Sequence, residues 1–411
     1  MKLRDIADYV TDKISSDAID LECYVTTDSL LQSKAGRETA SNLPPQTCTL
    51  TFFRKGDVLI SNIRPYLKKI WMADIEGGCN ADVLVLRAKD GHTPEFLYAL
   101  LLQDVFYEYA MKGAKGSKMP RGDKDQIMRY EIPTLPSSED SIGKFIVSIN
   151  DKIATNREIN RNLEAMARQL YDYWFVQFDF PDENDKPYKS SGGKMVWNER
   201  LKREIPENWI VEDLSNAAQI FNGATPSTAN EFNYGGNIVW ITPKDLSDQQ
   251  CKFVYYGARN ISQKGYDSCS THLLPRHSLL MSSRAPIGLL SISEVPLCTN
   301  QGFKSFVPKE GYDVHYLYYV IKHQLPKIEQ LGTGTTFKEV SREDLMKFPI
   351  LRIPHSIQKM WQEKTECMAE RQYKSVIESD TLKRERDELL PLLMNGQVSV
   401  MPTEVNCDLV A

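Results

Sequence analysis

Two hydrophobic periods alternate along this chain. From Ile142 onward, apolar residues recur at Ile146, Ile149, Ile153, Leu163, Ala167, Leu170 and Trp174. Steps of three and four lay one stripe along a helix and make a coiled-coil seam. The same period returns from about Ser356 to Asn395, with Ile357, Trp361, Met368, Leu382, Leu389 and Leu393 on the seam. Polar residues interrupt both seams, Asn156 and Asn160 in the first, Gln372, Ser375 and Ser379 in the second. Elsewhere the apolar runs are short. Val58-Leu59-Ile60, Leu279-Leu280-Met281 and Val83-Leu84-Val85-Leu86 read as buried strands, the last followed by the turn-like Lys89-Asp90-Gly91. Helices are expected near Pro94 to Tyr109 and near Val314 to Ile328, and Pro94 suits a first helical turn. Ser138 with Asp140 offers an N-cap to the first long helix.

These elements occur twice. Leu59-Ile60-Ser61-Asn62-Ile63-Arg64-Pro65 is answered by Leu279-Leu280-Met281-Ser282-Ser283-Arg284-Ala285-Pro286 at an offset of 220. Tyr24-Val25-Thr26 meets Trp240-Ile241-Thr242 at 216, and Ile127-Met128-Arg129-Tyr130 meets Leu345-Met346-Lys347-Phe348 at 218. So small a drift means loop-sized insertions in one duplicated fold, and two copies of one module imply two copies of one binding task. Each copy closes with a Gly-rich loop and an Ile/Leu-Pro strand.

Neither seam is apolar enough to stand alone in water. The two helices bury both by pairing with each other, or each docks on its own module. Pairing leaves Asn at seam positions, where it sets register at a cost in stability. The first helix, about 33 residues, spans roughly 50 Å. Module, helix, module, helix, with antiparallel helices, predicts modules at the two ends of a rod, related by an approximate two-fold axis of the kind duplex DNA also has. The expected boundaries are a first module over 1–138, a helix over 139–176, a connector over 177–208, a second module over 209–355, a helix over 356–396 and a tail over 397–411. The connector is rich in Pro, Gly, Ser, Lys and Asp, yet Trp197, Ile205 and Trp209 are expected to anchor it. Gly193-Lys194 lacks the upstream Gly of a phosphate loop and is followed by Met195. The fold class is α+β.

At 411 residues, 41% hydrophobic and 26% charged, the composition is that of globular domains rather than disorder. No apolar run approaches the roughly 20 residues of a membrane span, and the charged N-terminus shows no signal peptide. Eight scattered cysteines without a C-x-x-C pair read as reduced thiols, and a cytoplasmic location is expected. No zinc pattern, metal cluster, phosphate loop or Ser/His/Asp spacing is present in the sequence, and no cofactor is expected. The net charge of −5 weighs against nucleic acid. Its distribution matters more: Arg54, Lys55, Arg64, Lys68 and Lys69 cluster, as do Lys112, Lys115, Lys118, Arg121 and Lys124, while acids gather at Asp182 to Asp185 and Glu385 to Glu388. Such local basic stretches bind DNA or are solvated loops.

Several phrases together resemble the specificity (S) subunit of type I restriction-modification systems, HsdS. They are Gly223-Ala224-Thr225-Pro226-Ser227, Ser283-Arg284-Ala285-Pro286-Ile287-Gly288, Asn300-Gln301-Gly302-Phe303-Lys304, and Gly334-Thr335-Thr336-Phe337-Lys338 before Phe348-Pro349-Ile350. Trp174-Phe175 leading into Lys189 to Lys194 belongs with them. The resemblance spans residues 1 to 396. It implies two homologous mixed α/β target-recognition domains in tandem, each followed by a long helix, with the helices paired as an antiparallel coiled coil. It also implies a non-catalytic subunit that reads a split, asymmetric double-stranded DNA target, one half per domain. The partners implied are two methyltransferase (M) subunits, which methylate adenine, and restriction (R) subunits; no membrane is involved. No Asn/Asp-Pro-Pro-Tyr/Phe stretch for a flipped adenine is present. The first copy departs from the family phrases, with Asp12-Lys13-Ile14-Ser15-Ser16 and Asn80-Ala81-Asp82-Val83 in their places. Different binding surfaces on one fold are what an asymmetric target requires.

Arg64 and Arg284 stand at matched positions after a buried strand; an Arg fork grips phosphate or guanine edges, or pairs with an internal carboxylate. Ser61, Asn62, Ser282 and Ser283 beside them are short donors suited to phosphate, and Lys68 and Lys69 add charge. Lys115, Gly116, Ser117 and Lys118, with Arg121, and their copy around Thr335 and Thr336 are loops whose backbone N–H groups approach phosphate, or plain turns. Lys338, Thr225, Ser227, Lys244 and Lys304 complete the DNA-binding candidates with Gln301, which reads an adenine edge or caps a turn. Tyr98, Tyr318, Trp240 and Phe303 are expected in the core. Two other functions compete. A coiled-coil scaffold binding protein through its modules shows no salt-sensitive DNA affinity, and a lone methyltransferase binds S-adenosylmethionine unaided.

Overall fold

The computed structural model describes residues 1–132, 139–333 and 338–400. The chain forms two compact units, Met1–Ile159 with the segment from Ser375 onward, and Asn160–Lys374. The division falls inside both long helices, because each stretch of helix packs with the module of its own unit.

In the first unit a four-stranded sheet has the order Ala7–Tyr9, Val83–Ala88, Val58–Ser61, Ile70–Met72, all antiparallel. Side chains alternate across a strand, and here both faces are covered. Val58 and Ile60 join one apolar cluster with Phe96 and Leu100, while Leu59, Val83 and Val85 join another with Phe53 and Trp71. That double burial is why the strands read as unbroken apolar runs. A second four-stranded sheet, Lys13–Ser15, Thr49–Phe53, Gly77–Cys79, Tyr24–Val25, ends in a parallel pair. The helix expected from Pro94 to Tyr109 is two helices, Pro94–Leu101 and Asp104–Lys112. Gln103 between them is extended, with φ −66° and ψ 139°, and its amide donates to the Leu100 carbonyl at 3.2 Å.

The second unit repeats the plan. Its five-stranded sheet runs Ala218–Asn222, Phe303–Pro308, Leu279–Ser282, Leu290–Ser293, Phe253–Val254, and Tyr234–Ile241 pairs in parallel with Leu297–Thr299. Leu279 and Met281 face one cluster and Leu280 the other. Tyr98, Tyr318, Trp240 and Phe303 are all buried, as expected for core aromatics.

The long helices are Glu139–Tyr171, continued by a π-turn over Asp172–Val176, and His355–Met394. The Ser138 cap lies outside the described residues. Within each unit the helices pair antiparallel. In the first, Ile142 and Ile146 share a core with Leu390, Leu393 and Met394. Fully buried Asn156 donates to Glu378 Oε2 at 2.8 Å and Ser379 Oγ at 3.3 Å, and buried Arg386 donates to Asn150 Oδ1 at 2.7 Å. In the second, Gln372 donates to the Asn160 carbonyl at 3.1 Å, and Trp361 packs against Tyr171, Trp174 and Phe175. Glu164 accepts from Lys322 at 2.7 Å, Lys252 at 3.2 Å and Tyr319 at 2.8 Å, tying the later part of the first helix to the second module rather than to the module that precedes it. The expected seams are therefore present, with a larger polar share than the periodicity shows: Gln358, Thr365, Gln372, Ser375 and Arg386 are all buried.

The connector is ordered through Phe178, Phe180, Ile205 and Trp209, which are buried. Trp197 is a correction: it stays 58% exposed. It lies on the hairpin of Met195–Asn198 and Arg203–Pro206, opposite Glu204, and its indole donates to Glu199 rather than entering the core.

Candidate nucleic-acid interface

The loops that follow the matched strands are built on one backbone frame. Ser61 pairs with Val83 and Ser282 with Phe303. Asn62 N–H donates to the Asp82 carbonyl as Ser283 N–H does to that of Gly302; Gly122 N–H donates to Asn62 O as Val340 N–H does to Ser283 O. Ile63 bridges Arg121 as Arg284 bridges Glu339, and Lys115 bridges Arg121 as Thr333 bridges Glu339. These bonds relate the two strand ends by 221 residues, not 220. Arg284 therefore corresponds to Ile63, and Arg64 to Ala285, which corrects the matched-arginine expectation. A slip of one residue inverts the facing of side chains. Arg64 instead takes a left-handed conformation (φ 50°) at the start of the turn Pro65–Leu67, with its N–H donating to the Pro120 carbonyl at 2.7 Å.

In the second module the family phrases converge. Gly223 approaches the facing strand so closely that a Cβ would lie 2.1 Å from the Asn300 carbonyl oxygen. The loop it opens is pinned by Trp240 Nε1 donating to Ala224 O at 3.2 Å, Tyr234 Oη to Pro226 O at 2.8 Å and Asn233 Nδ2 to Ser227 O at 3.0 Å. Thr225 donates its hydroxyl to Gln301, so Gln301 neither caps a turn with that oxygen nor stands alone. Arg284 Nε contacts Glu339 Oε2 at 2.9 Å and Lys304 Nζ contacts Oε1 at 3.0 Å. Burial pushes the Glu339 carboxyl up, but the bonds from Lys304 and Arg284 prevail and hold it below the usual carboxylate range. Arg284 is thus the internally paired arginine, though its side chain is still 48% exposed. Ser227, Lys244, Gln301 and Lys338 are exposed and Thr225 half-buried. Thr335 and Thr336 lie outside the described residues.

In the first module the same frame carries other side chains. Arg121, where the second has Glu339, pairs with Asp82 at 3.1 Å, and Asp82 stands where the second has Gly302. Lys115 reaches Asp123 at 3.5 Å with its side chain 86% exposed, and Ser117 and Lys118 are exposed. The exposed Arg64 side chain has no hydrogen-bond or ion-pair partner among the described residues.

Other candidates are corrected by burial. Ser61, Ser282 and Ser283 are buried, the last two fully. Ser61 Oγ donates to Ile63 O at 3.0 Å and Ser282 Oγ to Pro286 O at 2.6 Å, so these hydroxyls shape the loops from within. Asn62 is also buried; its Oδ1 and the Ser283 Oγ make no hydrogen bond among the described residues. Lys304 is 6% exposed and held by Glu339. Lys68 is bound to Asp104 at 2.9 Å. Lys69 donates to the Thr27 carbonyl, and burial lowers its amine pKa. Sequence reasoning missed the pairing of Glu339 with Arg284 and of Asp82 with Arg121, carboxylates distant in sequence that decide which cations stay free; Asp123, by contrast, is the acid that opposes the Lys112 to Lys124 stretch in the sequence itself. Among the described residues no group of three His, Cys, Asp or Glu is placed to hold a metal ion, and no helix is long and apolar enough to cross a membrane.

Two copies of one loop frame, each with different polar side chains, define a duplicated recognition protein with paired helices. Residues 206–364 match the family model of the type I restriction modification DNA specificity domain, so the second module is a domain of that family. The chain is 36% identical over 163 residues to the type I restriction enzyme MjaIX specificity subunit of Methanocaldococcus jannaschii, a match covering 38% of each. It is 25% identical over 456 aligned positions to the HindI specificity subunit of Haemophilus influenzae, covering 96% of this chain and 98% of that one. The crystal structure of a type I restriction-modification S subunit from M. genitalium shares the fold, with a TM-score of 0.60 at 13% identity over 98% of this chain and 96% of the other. The resemblance to type I specificity subunits, and the tandem α+β fold with paired long helices, are borne out.

Proposed function

We propose that the chain is the DNA sequence-recognition subunit of a type I restriction-modification complex. It binds a bipartite, asymmetric double-stranded target, one half-site per module, and performs no chemistry of its own. It positions two methyltransferase subunits and the restriction subunits on that target. The observation that carries the proposal is the shared backbone frame with exchanged charges: Arg121 against Glu339, and Asp82 against Gly302. A conserved set of backbone bonds presents the loop in the same way, while side chains that meet base edges and phosphates differ. The set offered for contact is the exposed Arg64, Lys115, Ser117, Lys118 and Arg121 in the first module, and the exposed Ser227, Lys244, Arg284, Gln301 and Lys338 with the half-buried Thr225 in the second.

Replacing residues 209–355 by the corresponding module of a relative tests this directly. Methylated bases are mapped in DNA from cells carrying the hybrid and the methyltransferase subunit. The expected result is a change in one half of the methylated sequence with the other half intact. A change in both halves or in neither overturns modular reading.

A further inference from the structure

We propose that Phe232 is a base-contacting wedge of the second module, with Lys264 beside it and Arg259, held on Tyr234, as phosphate grips; this deepens the DNA-reading function above and rests on it. Phe232 is 77% exposed, more than any other large hydrophobic residue among those described. It is not on a loose loop. It sits in the 3-10 turn Glu231–Asn233, whose Asn230 cap accepts from Phe232 N–H at 3.2 Å, and its carbonyl accepts from Ser262 Oγ at 2.6 Å. The short helix Gln263–Asp267 lies directly on that turn: a Cβ at Gly265 would stand 2.1 Å from the Asn233 carbonyl oxygen. The next two residues, Asn233 at the end of the turn and Tyr234 at the start of the strand, are the ones that pin Ser227 and Pro226. Phe232 is therefore rigidly joined to the loop that carries Thr225 and Ser227.

The surroundings favour DNA over protein as the occupant. Lys264 Nζ lies 5.3 Å from the Phe232 ring centroid, and the Arg259 guanidinium stacks 3.6 Å over Tyr234. Both cations are exposed, and Glu231 is the one carboxylate within the turn. An exposed apolar ring with one cation beside it and a second held on Tyr234, two residues along, matches a base step and its phosphates, where Phe side chains insert or contact thymine methyl groups. The first module has a 3-10 turn of its own, Ser16–Ala18, but carries Asp17 there, whose carboxylate accepts from Thr47 at 2.9 Å. The wedge belongs to one half-site alone.

The test is selection from a pool of duplexes with a randomised core, using the intact chain purified with a methyltransferase subunit. The unaltered chain is expected to enrich a two-part sequence. Phe232→Ala is expected to lose preference at one or two positions of one half, leave the other half unchanged, and bind the selected duplex about tenfold or more weakly, the loss expected for a stacking contact. Phe232→Trp is expected to restore most of that affinity. Lys264→Ala is expected to weaken all duplexes alike and lower the salt slope by about one. Melting temperatures confirm folding, since Phe232 is outside the core. An unchanged enriched sequence with affinity within twofold for Phe232→Ala overturns the wedge and leaves the DNA-reading function standing; that outcome points to a protein contact. No enrichment by the unaltered chain overturns both.

Discussion

Replacing Glu164 by Gln removes the charge on which a buried lysine depends. The Glu164 side chain is 23% exposed and that of Lys252 10%. Burial alone would raise the Glu164 carboxyl, but Lys252 and Lys322 hold it below its usual range; burial lowers the Lys252 amine, and Glu164 opposes that. Stripping one partner from a buried pair costs about 3–5 kcal/mol. Lys252 keeps Tyr319 Oη at 3.0 Å and Gln372 Oε1 at 3.3 Å as neutral acceptors. Lys322, with 36% of its side chain exposed, turns to solvent at little cost. The loss is therefore set at the low end, about 3 kcal/mol. For a unit of this size that lowers the melting temperature by about 6–12 °C. Tryptophan fluorescence isolates the transition, because Trp71 is the single tryptophan of the other unit. The paired change Glu164→Leu with Lys252→Met, which removes both charges, is expected to be far milder than Glu164→Gln. The pH dependence has a sign. A carboxyl lowered in the fold contributes stability above its unfolded value of 4.5, and loses it as pH falls through the folded value. The gap between parent and Glu164→Gln therefore closes on acidification. It also narrows as pH rises toward the lysine range, where the variant's Lys252 sheds its proton in the fold before it would unfolded. A loss under 1 kcal/mol, or a double variant as unstable as Glu164→Gln, refutes this account of the cluster.

Three further outcomes are expected. Glu339→Gln should release Arg284 and Lys304, raising affinity for unrelated duplexes and steepening the salt dependence of binding by about one counterion in a filter or fluorescence assay. Asn156→Leu should leave melting temperature equal or higher, since it removes an orphaned Oδ1, but should loosen helix register, seen as broadened NMR or crosslinking patterns between the helices. The purified chain should transfer no label from S-adenosylmethionine to its target DNA until a methyltransferase subunit is added; transfer by the chain alone contradicts a non-catalytic role.

Periodicity made the seams legible because a helix repeats its facing every three to four residues over many turns, so Ile142, Ile146, Ile153 and Trp174 reinforce one another. The strands at Val58 and Leu279 were equally plain, since double burial writes a continuous apolar run. The break at Gln103 was not, because an extended residue without Gly or Pro leaves the apolar pattern intact. The arginine match failed for a related reason. Side-chain identity aligned Arg64 with Arg284, but strand register is decided by backbone bonds, and at their offset of 221 it is Ser61 with Ser282 and Pro65 with Pro286 that coincide. Ser282 and Ser283 looked like donors for a ligand because polarity is read without burial. Glu339 escaped notice because it lies 55 positions from Arg284, and only the fold joins them.

The first unit contains both the start of the chain and the segment from Ser375 onward. Ile142 and Ile146 find their partners in Leu390, Leu393 and Met394. On the ribosome those partners arrive only after the whole second unit. Residues 160–374 must be made in between, on the order of 10–40 s at 5–20 residues per second. Throughout that interval the isoleucine stripe meets its own module but lacks the cover of Leu390, Leu393 and Met394 on a nascent chain. Whatever shields the stripe in those seconds, a chaperone or the growing chain itself, governs the yield of this protein as much as its final stability does.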